Sequence, residues 1–288
     1  MKQSTRSIAT AANNPWFMVV GGFCSIVGFI AYLYEKLDPK FELLTKGFFG
    51  LGIAVLFFGY YYSVLVRREN IALRSLSRLF YEINEIYRNK LQVSFFGENP
   101  ITNASDLLDA EKIALSSVCQ RIENIFSTST NRQCLATVKL VTKSNGQGLA
   151  QTYVRSQESC ARDNPNRIQF KVGTGENTAF DQALMPNADG RPAHFYSADL
   201  TKHSNYSNQR QHYQSYYKST LVVPIRGERT HHNGQPVEYD LVGFLCVDTL
   251  STNRLNNGYQ LFMLAALAQQ MYNFMSLMRG RYTVFVDA

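Results

Sequence analysis

Two long runs without charge, an amphipathic stretch and then a series of alternating segments divide this chain. No charged residue stands between Arg6 and Glu35, and 16–34 is almost wholly apolar. None stands between Lys46 and Arg67, so 47–66 is a second such run. A helix rising about 1.5 Å per residue crosses a hydrocarbon core of about 30 Å in roughly 20 residues, and both runs have that length. They predict a transmembrane hairpin: a tail over 1–15, a helix over 16–34, a short external loop over 35–46 and a helix over 47–66. The first run is too long for a signal peptide and its end lacks the small-x-small cleavage pattern. Trp16, Tyr32, Tyr34 and Tyr60 to Tyr62 lie near the run ends, where interfacial rings belong.

From 67 to about 93 there is neither Pro nor Gly, and the apolar residues keep helical spacing. Leu76 and Ile83 are seven apart, as are Leu79 and Ile86, which suits a coiled-coil seam of Leu76, Leu79, Ile83 and Ile86 in a parallel homodimer. The alternative is an amphipathic helix packed on its own domain. The expected connecting helix covers 67–99 and ends at Gly97, Asn99 and Pro100.

Beyond it, 100–288 reads as one α+β domain. A helix over 105–127 starts at a Ser105 cap. Strands follow at 134–142 and 149–155, joined across Ser144-Asn145-Gly146, with Thr137 and Lys139 opposed to Ala136 and Val138. A strand over 168–172 and a helix over 177–184 come next. Strands at 219–226 and 241–249 flank a loop holding His231 and His232. A last helix, over 258–278, is expected to bury Phe262, Leu264, Leu267, Met271 and Phe274.

Charge orients the chain. Residues 1–95 hold 11 of the 29 basic and 6 of the 22 acidic residues, so most of the net charge of +7 lies beside the apolar runs. Arg67, Arg68, Arg74 and Arg78 follow the second run, which places both termini in the cytoplasm of a bacterial inner membrane. The near-neutral remainder gives no nucleic-acid footprint. Five scattered cysteines without a CxxC pair form neither a disulfide framework nor a zinc site.

The element order resembles that of a GAF domain, and so do the motifs. Phe170-Lys171-Val172-Gly173-Thr174-Gly175 resembles the strand that enters a glycine-marked turn. Ser197-Ala198-Asp199-Leu200 resembles the segment after the short helices. Ser219-Thr220-Leu221-Val222-Val223-Pro224-Ile225 and Val242-Gly243-Phe244-Leu245-Cys246-Val247-Asp248 resemble the two central strands. The resemblance covers about 100–280; the related PAS fold is its competitor. It implies an antiparallel sheet with helices on one face and a small-ligand pocket on the other. The cyclic-nucleotide signature and a bilin-bearing cysteine are both missing, so it implies no cofactor.

No Walker loop, kinase or hydrolase signature occurs, and no catalytic residue is assigned. His194, His203 and His212 lack ligand-pair spacing for a metal. Arg155, Lys171 and Arg226, on or beside strands, are candidates to meet an anionic ligand, with Asp199, His203 and Tyr217 at the pocket edge. Asp248 is expected to cap the turn after its strand. Tyr206, Tyr213, Tyr216 and Tyr217 suit a pocket, an interface or a plain lid.

Two functions remain. In the first, the hairpin is an effector that perturbs the membrane. Gly21 and Ser25, and Gly50 and Ala54, have the small-xxx-small spacing of close helix packing. The layout resembles two-transmembrane effectors of bacterial anti-phage systems, including retron toxins; that resemblance implies a reverse transcriptase and its DNA–RNA product as partners. In the second, the hairpin anchors a small-ligand sensor or adaptor for a separately encoded signalling enzyme.

Overall fold

A computed structural model describes residues 42–144, 146–156, 169–185, 192–229, 238–256 and 258–286, with isolated residues between 22 and 36. Helix α1 (Glu42–Phe96) is followed by α2 (Ala104–Thr130), β1 (Cys134–Ser144), β2 (Gln147–Arg155), β3 (Gln169–Val172), α3 (Thr178–Leu184), β4 (Phe195–Ser197), β5 (Ser219–Arg229), β6 (Glu238–Thr249) and α4 (Tyr259–Val286). The chain divides into two compact units inside α1, between Ser75 and Leu76.

In the first unit, among the described residues, no helix is long and apolar enough to cross a membrane. Most of 16–34 lies outside the described residues, Gly21 and Ser25 included. Gly50 and Ala54 lie exposed on α1. On the same helix Leu51, Ile53, Phe57 and Phe58 are between 46% and 72% exposed.

The second unit is α+β. Its six strands form one antiparallel sheet in the order β3-β2-β1-β6-β5-β4. Strand side chains alternate between faces, and the alternation sorts two cores. Ala136 and Val138 of β1, Leu221, Val223 and Ile225 of β5, and Leu245 and Val247 of β6 turn to the helices. Their neighbours Val222, Phe244 and Cys246 turn to the opposite face, where Phe170, Phe180, Phe195 and Leu200 cover them.

Two local devices hold this arrangement. Gly243 pairs with Leu140 on one side and Ile225 on the other. A side chain there would run into the Lys139 carbonyl oxygen, so glycine permits the close approach of β1 and β6. In β2, Thr137 faces Arg155 and Val138 faces Val154, but Lys139 faces Thr152. Tyr153 is the extra residue of a bulge, which re-aims the strand end.

The helix face is mainly apolar, with Glu111 and Glu123 of α2 also buried. Leu115, Val118, Ile122 and Phe126 of α2 pack with Leu264, Leu267, Met271 and Phe274 of α4. Burying one such side chain contributes roughly 1.5–3 kcal/mol. The end of α1 belongs to this core: Leu79 and Ile83 are fully buried, and Tyr87 stacks on Phe274 with ring centroids 4.4 Å apart. Within the single chain, then, these two seam residues pack on their own domain, with Ile86 partly buried beside them; the side chain of Leu76 lies outside the described residues. That packing matches the second of the two arrangements the spacing allowed, and the second compact unit begins at Leu76.

Other boundaries shift for local reasons. Asn103, not Ser105, caps α2: its extended backbone lets the side-chain oxygen accept the Asp106 amide at 2.8 Å. Helix α4 continues to Val286, and Phe262 lies on its outer side, 47% exposed. The loop with His231 and His232 lies outside the described residues.

Candidate functional site

On the face away from the long helices, the sheet carries a cavity of about 50 Å³. Its floor is strand residues of the outward alternation: Thr137 and Lys139 of β1, Arg155 of β2, Thr220 and Val222 of β5, and Cys246 and Asp248 of β6. The walls are Phe170, the start of α3 with Ala179 and Phe180, and a lid containing Tyr206, Asn208, Arg210, Tyr216 and Tyr217.

The bulge in β2 shapes the charged corner. Thr152 and Arg155 come to one face although three apart in sequence. The single hydroxyl of Thr152 accepts from Lys139 Nζ at 3.0 Å and from Arg155 Nη2 at 3.4 Å, so two cations converge on one oxygen. Lys139 also lies over the Phe170 ring, 4.4 Å from its centroid. Opposite them, the Asp248 carboxylate accepts the Thr220 hydroxyl at 2.5 Å.

Two sets of bonds hold the lid in place. Asn208 Nδ2 donates to the phenol oxygens of Tyr206 and Tyr217, at 3.0 and 2.6 Å. Arg210 stacks on Tyr216, its guanidinium carbon 3.4 Å from the ring centroid. At the rim, the Glu176 carboxylate accepts from Lys171 Nζ at 2.6 Å and from Gln209 Nε2 at 2.7 Å. The Gln209 side-chain oxygen accepts the Lys171 amide at 2.8 Å. Ser207 and Thr178 exchange further bonds, joining the lid to the first turn of α3. Below this latch, Gly173 and Gly175 take φ of +79° and +80°, and the Asp181 carboxylate receives both of their amides.

Burial sets the acid–base state. It pushes the Cys246 thiol up to about 12, with the Asp248 carboxylate adding to the shift, so the thiol stays protonated at neutral pH and is no nucleophile. Burial likewise raises the phenols of Tyr206 and Tyr217. At the exposed rim, hydrogen bonds from Lys171 and Gln209 hold the Glu176 carboxyl below its usual range.

Of the six residues proposed from sequence, Arg155 and Tyr217 line the cavity. Lys171 stands outside, in the rim latch. Arg226 lies farther along β5, opposite Leu241. Asp199 caps the short 3-10 turn Leu200–Lys202, accepting the amide and hydroxyl of Thr201, while His203 packs its ring near Phe195 and Tyr206. Asp248 is corrected from a turn cap to a cavity residue, because its strand alternation turns it inward. Sequence reasoning missed Lys139, Arg210 and Asn208. For Lys139 a signal existed: it shares an alternation face with Thr137. Among the described residues no cluster of three metal-ligating side chains occurs.

Fold and site together define an antiparallel α+β domain closed by helices on one face and hollowed on the other. No family model matches the chain, and no curated protein matches it. Among solved structures it is similar to the GAF domain of a phosphoenolpyruvate-protein phosphotransferase from Coxiella burnetii. That match has 13% identity and a TM-score of 0.43 over 73% of this chain and 95% of the other. The corresponding Acinetobacter domain gives 14% and 0.41, over 73% and 96%. A type II free methionine-R-sulfoxide reductase from Thermoplasma acidophilum gives 12% and 0.38, over 60% and 97%.

Proposed function

We propose that residues 76–288 form a GAF-like small-ligand sensing domain, and that the two apolar runs hold it at a bilayer. The observation that supports sensing is the lidded cavity. Residues from five strands, one helix start and a hydrogen-bonded lid converge on a space too small for a macromolecule. The work assigned to it is the binding of a small ligand.

The bilayer part rests on the sequence and on exposure. The run from Lys46 to Arg67 has no charge, and α1 leaves Leu51, Ile53, Phe57 and Phe58 uncovered. Large apolar side chains exposed around a helix call for a covering. Thermal denaturation of the full chain in detergent, screened against small metabolites, tests the sensing reading. A ligand that raises the midpoint in the native chain and not in Val222→Phe, which fills the cavity, supports it. A screen with no such ligand defeats it.

The effector reading places membrane damage in the hairpin, with a reverse transcriptase and its DNA–RNA product as restraining partners. Gly50 and Ala54, exposed one turn apart, favour helix packing there. Induced expression would then collapse a potential-sensitive dye signal, and Gly50→Leu would restore it at equal protein level. A steady potential leaves the anchor reading in place.

A further inference from the structure

We infer that the ligand of the cavity is a small uncharged carbonyl compound that accepts from the Asn177 side-chain amide and the Thr137 hydroxyl; this rests on the reading of the cavity as a ligand site. Both residues line the cavity, and both are almost wholly buried, 1% and 3% exposed. The Asn177 oxygen serves the fold: it accepts the Phe180 amide at 3.3 Å and so caps α3. That cap needs the oxygen, which fixes Nδ2 as the end left over. Among the described residues nothing bonds Asn177 Nδ2, and nothing bonds Thr137 Oγ1. Buried polar groups are nearly always hydrogen-bonded, so two open groups at one cavity mark the place of a guest.

The charged groups of the lining are already engaged. Lys139 and Arg155 donate to Thr152, and Arg210 stacks on Tyr216. Asp248 accepts from Thr220, and the Asn208 oxygen accepts the Arg210 amide at 2.8 Å. The open capacity is therefore neutral. An ion entering this space would lose its water among charges that already have partners. Asn177 Nδ2 can only donate, and the Thr137 hydroxyl rotates to donate beside it. An alcohol brings a hydrogen that needs an acceptor, and the oxygens of Thr152, Asp248 and Asn208 are in use. A carbonyl oxygen brings two lone pairs and no hydrogen.

Strand register sets the direction of the guest. Arg155 pairs with Thr137, Thr137 with Cys246, and Cys246 with Val222, so one row crosses four strands. Along it, polar side chains give way to a protonated thiol and a valine. Neighbouring strands lie about 4.8 Å apart, so a carbonyl held at Thr137 lays its hydrocarbon end over Cys246 and Val222. Ala179 and Phe180 wall that end. A volume of about 50 Å³ holds about four waters, at roughly 10–15 Å³ each by this measure. That is the size of a short amide or ketone, and it excludes a nucleotide or a tetrapyrrole.

The test uses the full chain in detergent micelles and isothermal calorimetry. Acetamide, propionamide, acetone and butanone are titrated beside isopropanol, propionate and propylammonium. At least one amide or ketone is expected to bind, more tightly than the alcohol and either ion. Its affinity should fall about 5- to 100-fold in Thr137→Val, which keeps the shape and removes the hydroxyl. The same fall is expected in Asn177→Ser, which keeps a capping oxygen and removes the amide. Thr137→Val reports even where Asn177→Ser fails to fold. The thermal midpoint of unliganded Thr137→Val should hold or rise, since a buried hydroxyl without a partner gives way to a methyl. A falling midpoint would assign that hydroxyl a structural bond and overturn the inference. Unchanged affinity in either variant would do the same, as would an alcohol or ion binding as tightly as the carbonyl compounds; these leave the cavity as a ligand site. Silence from every probe overturns the carbonyl class where the metabolite screen still finds a ligand. Silence together with a failed screen removes the site itself.

Discussion

The two faces of the sheet use the same strands for opposite ends. Leu245 points to the helices, and its neighbours Phe244 and Cys246 point to the cavity side. On the helix face, three helices cover aliphatic side chains and leave little room. On the other face a short helix, a three-residue strand and a lid cover aromatic rings, cations and hydroxyls. The first face is organised by burial and resists change; the second is organised by directional bonds that can be released one by one. On the proposed reading, stability and binding fall on opposite sides of one sheet.

Substitutions can break or sharpen this division. The largest effect is expected at Gly243, which serves both faces. Gly243→Ala drives a methyl into the Lys139 carbonyl and forces β1 from β6. Loss on the order of 4 kcal/mol, at the upper end for single changes, is expected in urea denaturation. A loss below 1 kcal/mol would show that the strands can part there freely.

Leu245→Ala comes next. It opens a void in the fully buried helix face and should cost about 2–5 kcal/mol, with ligand affinity retained in the fraction that folds. A variant that lost binding while keeping its stability would reverse the roles given to the faces.

Asn208→Ala removes the amide that bridges the phenols of Tyr206 and Tyr217. Two buried hydroxyls lose a donor, for about 1–3 kcal/mol. The loss should be local: amide exchange quickens over 203–217 while α2 and α4 keep their protection. Uniform quickening would mean that the lid is part of the main core.

Acid gives the smallest effect, at the rim. The folded Glu176 carboxyl lies below its ordinary 4.5, so its contribution is complete above that value. It is lost as pH falls through the depressed folded value. Proteolytic cutting in the lid should rise only below about pH 4.5, and Glu176→Gln should cut equally at all pH. An onset near neutrality would assign the release to another group.

Much of the scaffold was legible from local patterns. Alternation in 134–142 and the motifs of 219–226 and 241–249 located the central strands, and Ser144-Asn145-Gly146 marked the hairpin, because these signals are carried by neighbours in sequence. The end of α1 was ambiguous for a physical reason: a stripe of Leu79, Ile83 and Ile86 faces any apolar surface equally well, a second copy or the chain's own α4. The cavity was less legible. Arg155 was found because it ends a strand, whereas Lys139 shares an alternation face with Thr137, but which face carries the cavity depends on the distant segments that cover it. The place of Arg210 depends on the Gln209–Glu176 and Ser207–Thr178 bonds, between partners about 30 residues apart. Such closure leaves no periodic trace.

The bulge at Tyr153 has a consequence for how an occupied cavity would be felt. Arg155 lines the cavity and Thr152 accepts a hydrogen bond from it, while Val154 and Tyr153 between them pack in the helix-side core. A guest that fixes Arg155 also narrows the motion of the residues next to it in the chain. Occupancy on one face thus raises the free energy of opening on the other, by the ordinary linkage of binding to folding. The message crosses the sheet through its thickness, one peptide unit deep, as slower exchange of α2 and α4 amides with no strand displaced.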